Sequence, residues 1–148
     1  MKNVVVTGMG IISCIGSGLN EVLSSLKNGK SGIKPNPIYK EMGFRSHVSG
    51  SIDINLSELI DRKVLRFMSE ASGFAYLATQ EALINAGLDL SSIDTSRIGI
   101  VAGSGGASSA AQIEASDIAR AKGPKRIGPY AVTKTMGSTV SAILGTTL

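Results

Sequence analysis

Residues 69–86 constrain this chain more than any other stretch. Ala71, Phe74, Ala75, Ala78, Ala82 and Ala86 recur at helical spacing, and Gly87 follows as a left-handed stop. A helix over 69–86 is expected, with one face made almost wholly of small side chains. Such a face lets a second backbone approach closely, which places this helix at the centre of the fold. Aromatic residues are 4% of the chain, Trp is absent and hydrophobic residues are 43%. The core must therefore be built from aliphatic side chains at close range. The eighteen glycines follow no collagen-like period and cluster at turns.

Other elements follow from local pattern. Residues 2–7 and 97–102 are short β-branched runs closed by glycines, and both read as buried strands. Residues 19–27 read as a helix with Leu19, Val22, Leu23 and Leu26 on one face and Gly29 as its stop. Residues 31–43, with Pro35 and Pro37, read as loop, and 45–54 as a weak strand. Asp61 is placed to cap a short helix carrying Arg62, Lys63 and Arg66. Residues 107–122 read as a helix broken by Gly123-Pro124, a short segment follows Pro129-Tyr130, and 138–148 read as an apolar helix. Helices alternating with strands indicate α/β layers. Two strands are few for a complete domain of 148 residues, and the apolar end suggests a sheet completed by residues beyond Leu148.

Several functions are excluded at this stage. The apolar stretch after Lys2 is interrupted by Thr7, Gly8, Gly10 and Ser13. It falls far short of the roughly 20 apolar residues that cross a bilayer. Neither a membrane span nor a secretion signal is expected. The single Cys14 precludes an internal disulfide and any Cys-rich zinc site, and suits a reducing compartment. The turn at Gly8, Gly10 and Gly16 has Ser13 where a dinucleotide-binding fingerprint needs its third glycine, and it lacks the downstream acid. It reads as a packing turn. Residues 103–108 lack the Lys-Ser/Thr ending of a phosphate loop and read as a close-packed turn lining a cavity. Cys14, among Ile11, Ile12 and Ile15, reads as an inert buried thiol rather than a nucleophile. His47 reads as structural or exposed. No metal or cofactor site is expected.

The sharper feature is positive charge. Arg62 and Arg66 lie one helical turn apart with Lys63 beside them. Arg120, Lys122, Lys125, Arg126 and Lys134 form a second group that contains no acid. Together they suit docking of an acidic partner, although a solvated surface is the plainer reading. Nucleic-acid binding is disfavoured, because few aromatics lie near these charges and no recognised motif is present.

Six stretches, taken in order, resemble the condensing enzymes of fatty-acid synthesis, the β-ketoacyl-acyl-carrier-protein synthases. They are Val5-Val6-Thr7-Gly8-Met9-Gly10, Leu26-Lys27-Asn28-Gly29-Lys30-Ser31-Gly32-Ile33, Asp61-Arg62-Lys63-Val64-Leu65-Arg66-Phe67-Met68-Ser69, Ala82-Leu83-Ile84-Asn85-Ala86-Gly87-Leu88, Gly99-Ile100-Val101-Ala102-Gly103-Ser104-Gly105-Gly106 and Gly128-Pro129-Tyr130-Ala131-Val132-Thr133-Lys134-Thr135-Met136. The third stretch and Arg45-Ser46-His47-Val48 resemble the type I branch.

The resemblance implies an α/β, thiolase-like fold with αβαβα layers, of which residues 1–148 would form most of the N-terminal half. It implies a cytoplasmic homodimer that works without a cofactor. A cysteine would take an acyl group from acyl carrier protein, and two histidines would help decarboxylate the malonyl-loaded carrier. The resulting carbanion would attack the thioester. In the family's order that cysteine and both histidines fall beyond Leu148, and Cys14 matches a position of no catalytic role. No catalytic residue is therefore expected within this chain. By resemblance, Lys63, Arg66, Lys122 and Lys125 match a carrier-protein patch, with Arg62 as its neighbour. Gly106 and Met136 match positions lining the acyl pocket, and Ser104, Ser108 and Ser109 have structural roles. The competing expectation is a non-catalytic module that binds acyl carrier protein. Neither reading includes a nucleic-acid or membrane partner.

Overall fold

A computed structural model describes residues 3–106 and 108–148. The chain divides into two compact units. One comprises Met1–Ile54 with Leu77–Leu88, the other Asn55–Tyr76 with Asp89–Leu148.

In the first unit, β1 (Ile12–Ser13) and β2 (Gly16–Ser17) form a minimal antiparallel hairpin, with Ile12 opposite Ser17. It packs against α1 (Leu19–Lys27). Val22 and Ser25 are the buried residues of α1, while Leu23 and Leu26 are exposed, so only part of the anticipated apolar face is covered. Ser25 turns inward because its hydroxyl donates to the Ile15 carbonyl at 2.6 Å. Gly29, with φ 60°, follows the helix as expected.

The region read as loop over 31–43 contains structure. β3 (Ile33–Pro35) pairs antiparallel with β4 (Val48–Gly50), and α2 (Pro37–Glu41) lies between them, capped by Asn36. Pro35 and Pro37 mask these elements in the sequence. Pro37 occupies the first turn of a helix, where its missing N–H costs nothing, and Pro35 ends a strand.

α5 (Glu70–Ala86) runs as anticipated, and residues 77–86 of it belong to the first unit. A Cβ on Gly10 would collide with the Ala78 carbonyl and stand 2.8 Å from the Ala82 amide nitrogen. One on Gly8 would collide with the Ala82 carbonyl. The close backbone approach inferred from the small-residue stripe is thus made by the glycine turn. The helix is half-buried rather than central, with Ser72 and Gly73 as its buried residues.

The second unit holds α3 (Leu56–Leu59), α4 (Arg62–Leu65), α6 (Ser109–Lys122), α7 (Ala131–Thr135) and α8 (Thr139–Thr147). Its core gathers Ile60, Met68, Ser72, Thr139, Ile143 and Leu144. α6 ends at Gly123, with φ 85°, before a 3₁₀ turn over Pro124–Arg126, as the Gly-Pro pair indicated.

The two anticipated buried strands are corrected. Residues 3–7 and 98–102 carry no ladder, and Val4 is 98% exposed and Val101 103%. Lys2 and Ala107, which bounded two anticipated elements, lie outside the described residues. Ile98 does take extended backbone angles, φ −92° and ψ 131°. A strand also requires a neighbour for its N–H and C=O groups, and among the described residues none pairs with these two segments.

Candidate functional site

The site is built on α4. Asp61 caps this helix by accepting the Lys63 N–H at 2.7 Å, which fixes where Arg62, Lys63 and Arg66 emerge. Arg66 closes the helix in right-handed conformation, its N–H donating to the Arg62 carbonyl at 3.3 Å. All three cations are exposed. With Asp61 and Tyr130 they line an open cavity of ≈560 Å³. Among the described residues the ion pairs are Lys34–Asp53 and Arg120–Asp117, so no acid neutralises the α4 cluster.

The Arg66 guanidinium carbon lies 4.9 Å from the Phe67 ring centre and 5.3 Å from that of Tyr130. These rings meet edge to face, with centres 4.9 Å apart at 82°. The sequence places few aromatics beside the charges, and reasoning from it misses Tyr130. No local signal marks that residue, because it reaches Arg66 only through the tertiary fold. Lys122 ends α6, and Lys125 lies in the following 3₁₀ turn, which packs on α6. Both are exposed, and the cavity beside α4 does not include them.

Two further cavities adjoin. One of ≈440 Å³ is apolar, with Lys63, Val64, Phe67, Met136, Thr139 and Ile143 among its lining residues. The other, of ≈250 Å³, includes Ser69, Ser104, Gly106, Ser108, Met136 and Thr139 in its lining. Met136 and Thr139 are common to both. The structure therefore brings Gly106 and Met136 to one cavity and Lys63 and Met136 to the next.

Around Gly106 the turn is open rather than close-packed, since among the described residues no atom beyond the adjoining ones in the chain lies within 4 Å of a Cβ built on Gly103, Gly105 or Gly106. It does line a cavity, as anticipated. The serines near it serve the backbone. Ser104 Oγ donates to the Gly106 carbonyl at 2.6 Å, and Ser108 caps α6 by accepting the Ala111 N–H at 3.2 Å.

Cys14 is half-buried, not buried. Its carbonyl and thiol leave no room for a side chain at Gly32, and its Sγ would stand 3.0 Å from a Cβ on Gly50. His47 is exposed. Among the described residues no three His, Cys, Asp or Glu side chains assemble a metal site. Nor is any described helix long and apolar enough to cross a membrane.

Comparison with known proteins bears on this arrangement. The model of the beta-ketoacyl synthase N-terminal domain matches residues 1–148. The 3-oxoacyl-(acyl-carrier-protein) synthase 1 of Haemophilus influenzae is 53% identical over 147 residues, covering 99% of this chain and 36% of that protein. A beta-ketoacyl synthase from Burkholderia phymatum superposes with a TM-score of 0.82 at 25% identity, covering 99% of this chain and 36% of that one. A type II polyketide acyl-carrier protein in complex with its ketosynthase, bound to the hexaketide, matches with a TM-score of 0.70 at 23% identity, covering 96% and 37%. The chain thus spans 36% of the length of the H. influenzae relative. Its fold is α/β and thiolase-like, as these structures are, although among the described residues segments 3–7 and 98–102 pair with no strand. On the match across all 148 residues, the chain belongs to the beta-ketoacyl synthase N-terminal domain family.

Proposed function

We propose that this chain supplies the carrier-docking face and part of the acyl cavity of a 3-oxoacyl-(acyl-carrier-protein) synthase of fatty acid biosynthesis. In this reading the whole enzyme condenses an acyl thioester with malonyl-loaded carrier protein, losing carbon dioxide as the new carbon–carbon bond forms. The nucleophilic cysteine and the histidine pair are contributed by residues outside this chain, which by itself is not catalytic. The enzyme works as a cytoplasmic homodimer and needs no resident cofactor.

One observation carries the reading. Lys63 lines both the cationic cavity with Arg62 and Arg66 and the apolar cavity with Met136, whose neighbouring cavity contains Gly106. An acidic protein delivering an apolar chain needs cations at the entrance and apolar space beside them. Lys122 and Lys125 extend the positive face, while Gly106 leaves depth for a long acyl chain. The H. influenzae relative supports this by its name, and the polyketide ketosynthase by its complex with an acyl-carrier protein.

The test is a titration of labelled acyl carrier protein into the intact protein. Joint Lys63→Glu and Arg66→Glu substitution is expected to weaken binding at least tenfold, about the value of two lost charge contacts. Unchanged affinity, or equal affinity for a random DNA duplex, would overturn the proposal.

A further inference from the structure

We propose that Tyr130 is a positioning residue for carrier recognition, holding the Arg66 guanidinium so that it meets a carboxylate on the partner. The inference rests on the docking reading above and deepens it.

An exposed arginine samples many rotamers, and one used for docking gains from being held. Phe67 and Tyr130 meet nearly at right angles, and the guanidinium lies against both, inside the ~6 Å range of cation–π attraction. Phe67 is the next residue in the chain, so its contact is local. Tyr130 comes from another element and completes the corner. Its own backbone is well anchored: its carbonyl accepts the Thr133 hydroxyl at 2.8 Å and the Lys134 N–H at 3.3 Å at the start of α7. Gly128, with φ 83°, turns the chain just before it.

Contact of the guanidinium carbon with ring faces engages the charge without using up its N–H groups, which can still grip a carboxylate with two bonds. The nearby acid Asp61 has its Oδ1 engaged by the Lys63 N–H, and no ion pair to Arg66 occurs among the described residues. Lys63 has no comparable ring contact among the aromatic contacts of the described residues. The two cations thus contribute differently. Lys63 supplies charge, and Arg66 supplies a directed fork.

A double-mutant cycle on the intact protein tests this, read by calorimetric binding of acyl carrier protein at fixed salt. Tyr130→Leu, which keeps apolar volume but loses the aromatic face, is expected to weaken binding about three- to tenfold. Tyr130→Phe should bind like the parent. In an Arg66→Ala background, Tyr130→Leu should have no further effect. An additive loss, a Tyr130→Leu protein with undiminished affinity, or a Tyr130→Phe protein as weak as Tyr130→Leu would each overturn the role of Tyr130 while leaving the docking reading intact. If Arg66→Ala alone leaves affinity unchanged, the docking reading fails and this inference with it. Thermal transitions of all variants identify any loss caused by unfolding. In that event Arg66→Lys, which keeps the charge but not the planar fork, should reproduce the loss, and parental affinity for it would overturn the proposal.

Discussion

Glu81 Oε1 accepts the backbone N–H of Leu19 at 2.8 Å, tying the first residue of α1 to α5. The other oxygen of this carboxylate accepts the Ile11 N–H at 2.9 Å. One side chain therefore closes both ends of the segment that holds the β1–β2 hairpin, and Gly18 assists by donating its N–H to the Ile11 carbonyl at 2.8 Å.

Glu81→Ala should destabilise the first unit by about 2–3 kcal/mol, because two charge-assisted hydrogen bonds at a half-buried site are lost together. Glu81→Gln, which retains one carbonyl acceptor, should cost about half as much. Hydrogen exchange read residue by residue is the check: the Ile11 and Leu19 amides should lose protection, and the α6 amides should not.

Gly10→Ala should destabilise by about 2–3 kcal/mol, the scale of overpacking against a backbone that cannot yield. The new methyl would collide with the Ala78 carbonyl in the middle of α5. Gly43→Ala makes a useful comparison, since open space surrounds that position and its cost arises only from a φ of 72°. A urea titration of both variants should rank Gly10→Ala as the more damaging.

Gly106→Phe should leave the thermal transition unchanged, because among the described residues only atoms adjoining it in the chain lie within 4 Å of the added Cβ. The ring would instead occupy the ≈250 Å³ cavity shared with Met136. If that cavity takes acyl chains, the intact enzyme should then release shorter products. Mass spectrometry of carrier-bound thioesters checks this, and an unaltered length distribution counts against Gly106 as a pocket residue.

Asp89 and Asp94 should titrate below the ordinary aspartate value of 3.8. For Asp89 the main cause is the Ser91 hydroxyl, followed by the Ser91 amide, and Ser96 acts in the same way on Asp94. A carboxyl lowered on folding adds stability that is present above its unfolded pKa and lost as pH falls through its folded one. The loss should therefore begin as pH falls toward 3.8 and continue through the lower folded values. Carbon-detected NMR titration of the two side chains should show both depressed, with Ser91→Ala releasing Asp89 alone.

Much of this arrangement is legible in the residues themselves. Leu19–Lys27, the Asp61 cap and the Gly123 break depend on signals within a few residues, and each lies where expected. The spacing of Arg62, Lys63 and Arg66 likewise places three cations together. β4 falls within the weak strand read over 45–54, but its partner β3 is less legible, because Ile33–Pro35 has no apolar alternation and is defined by the pairing. Residues 3–7 and 98–102 fail in the opposite sense. Their β-branched composition satisfies a strand pattern, yet composition supplies no hydrogen-bonding partner.

The sequence by itself determined α1, α4, α5, α6 and α8 and the sign of the charge on α4, since backbone propensity and capping act between residues close in the chain. Tertiary structure decided which segments pair, that Glu81 clasps Ile11 and Leu19, that Gly106 and Met136 share a cavity, and that Tyr130 stands against Arg66. Those contacts join residues dozens of positions apart. Their energy depends on where folding brings the backbone, which no local pattern encodes.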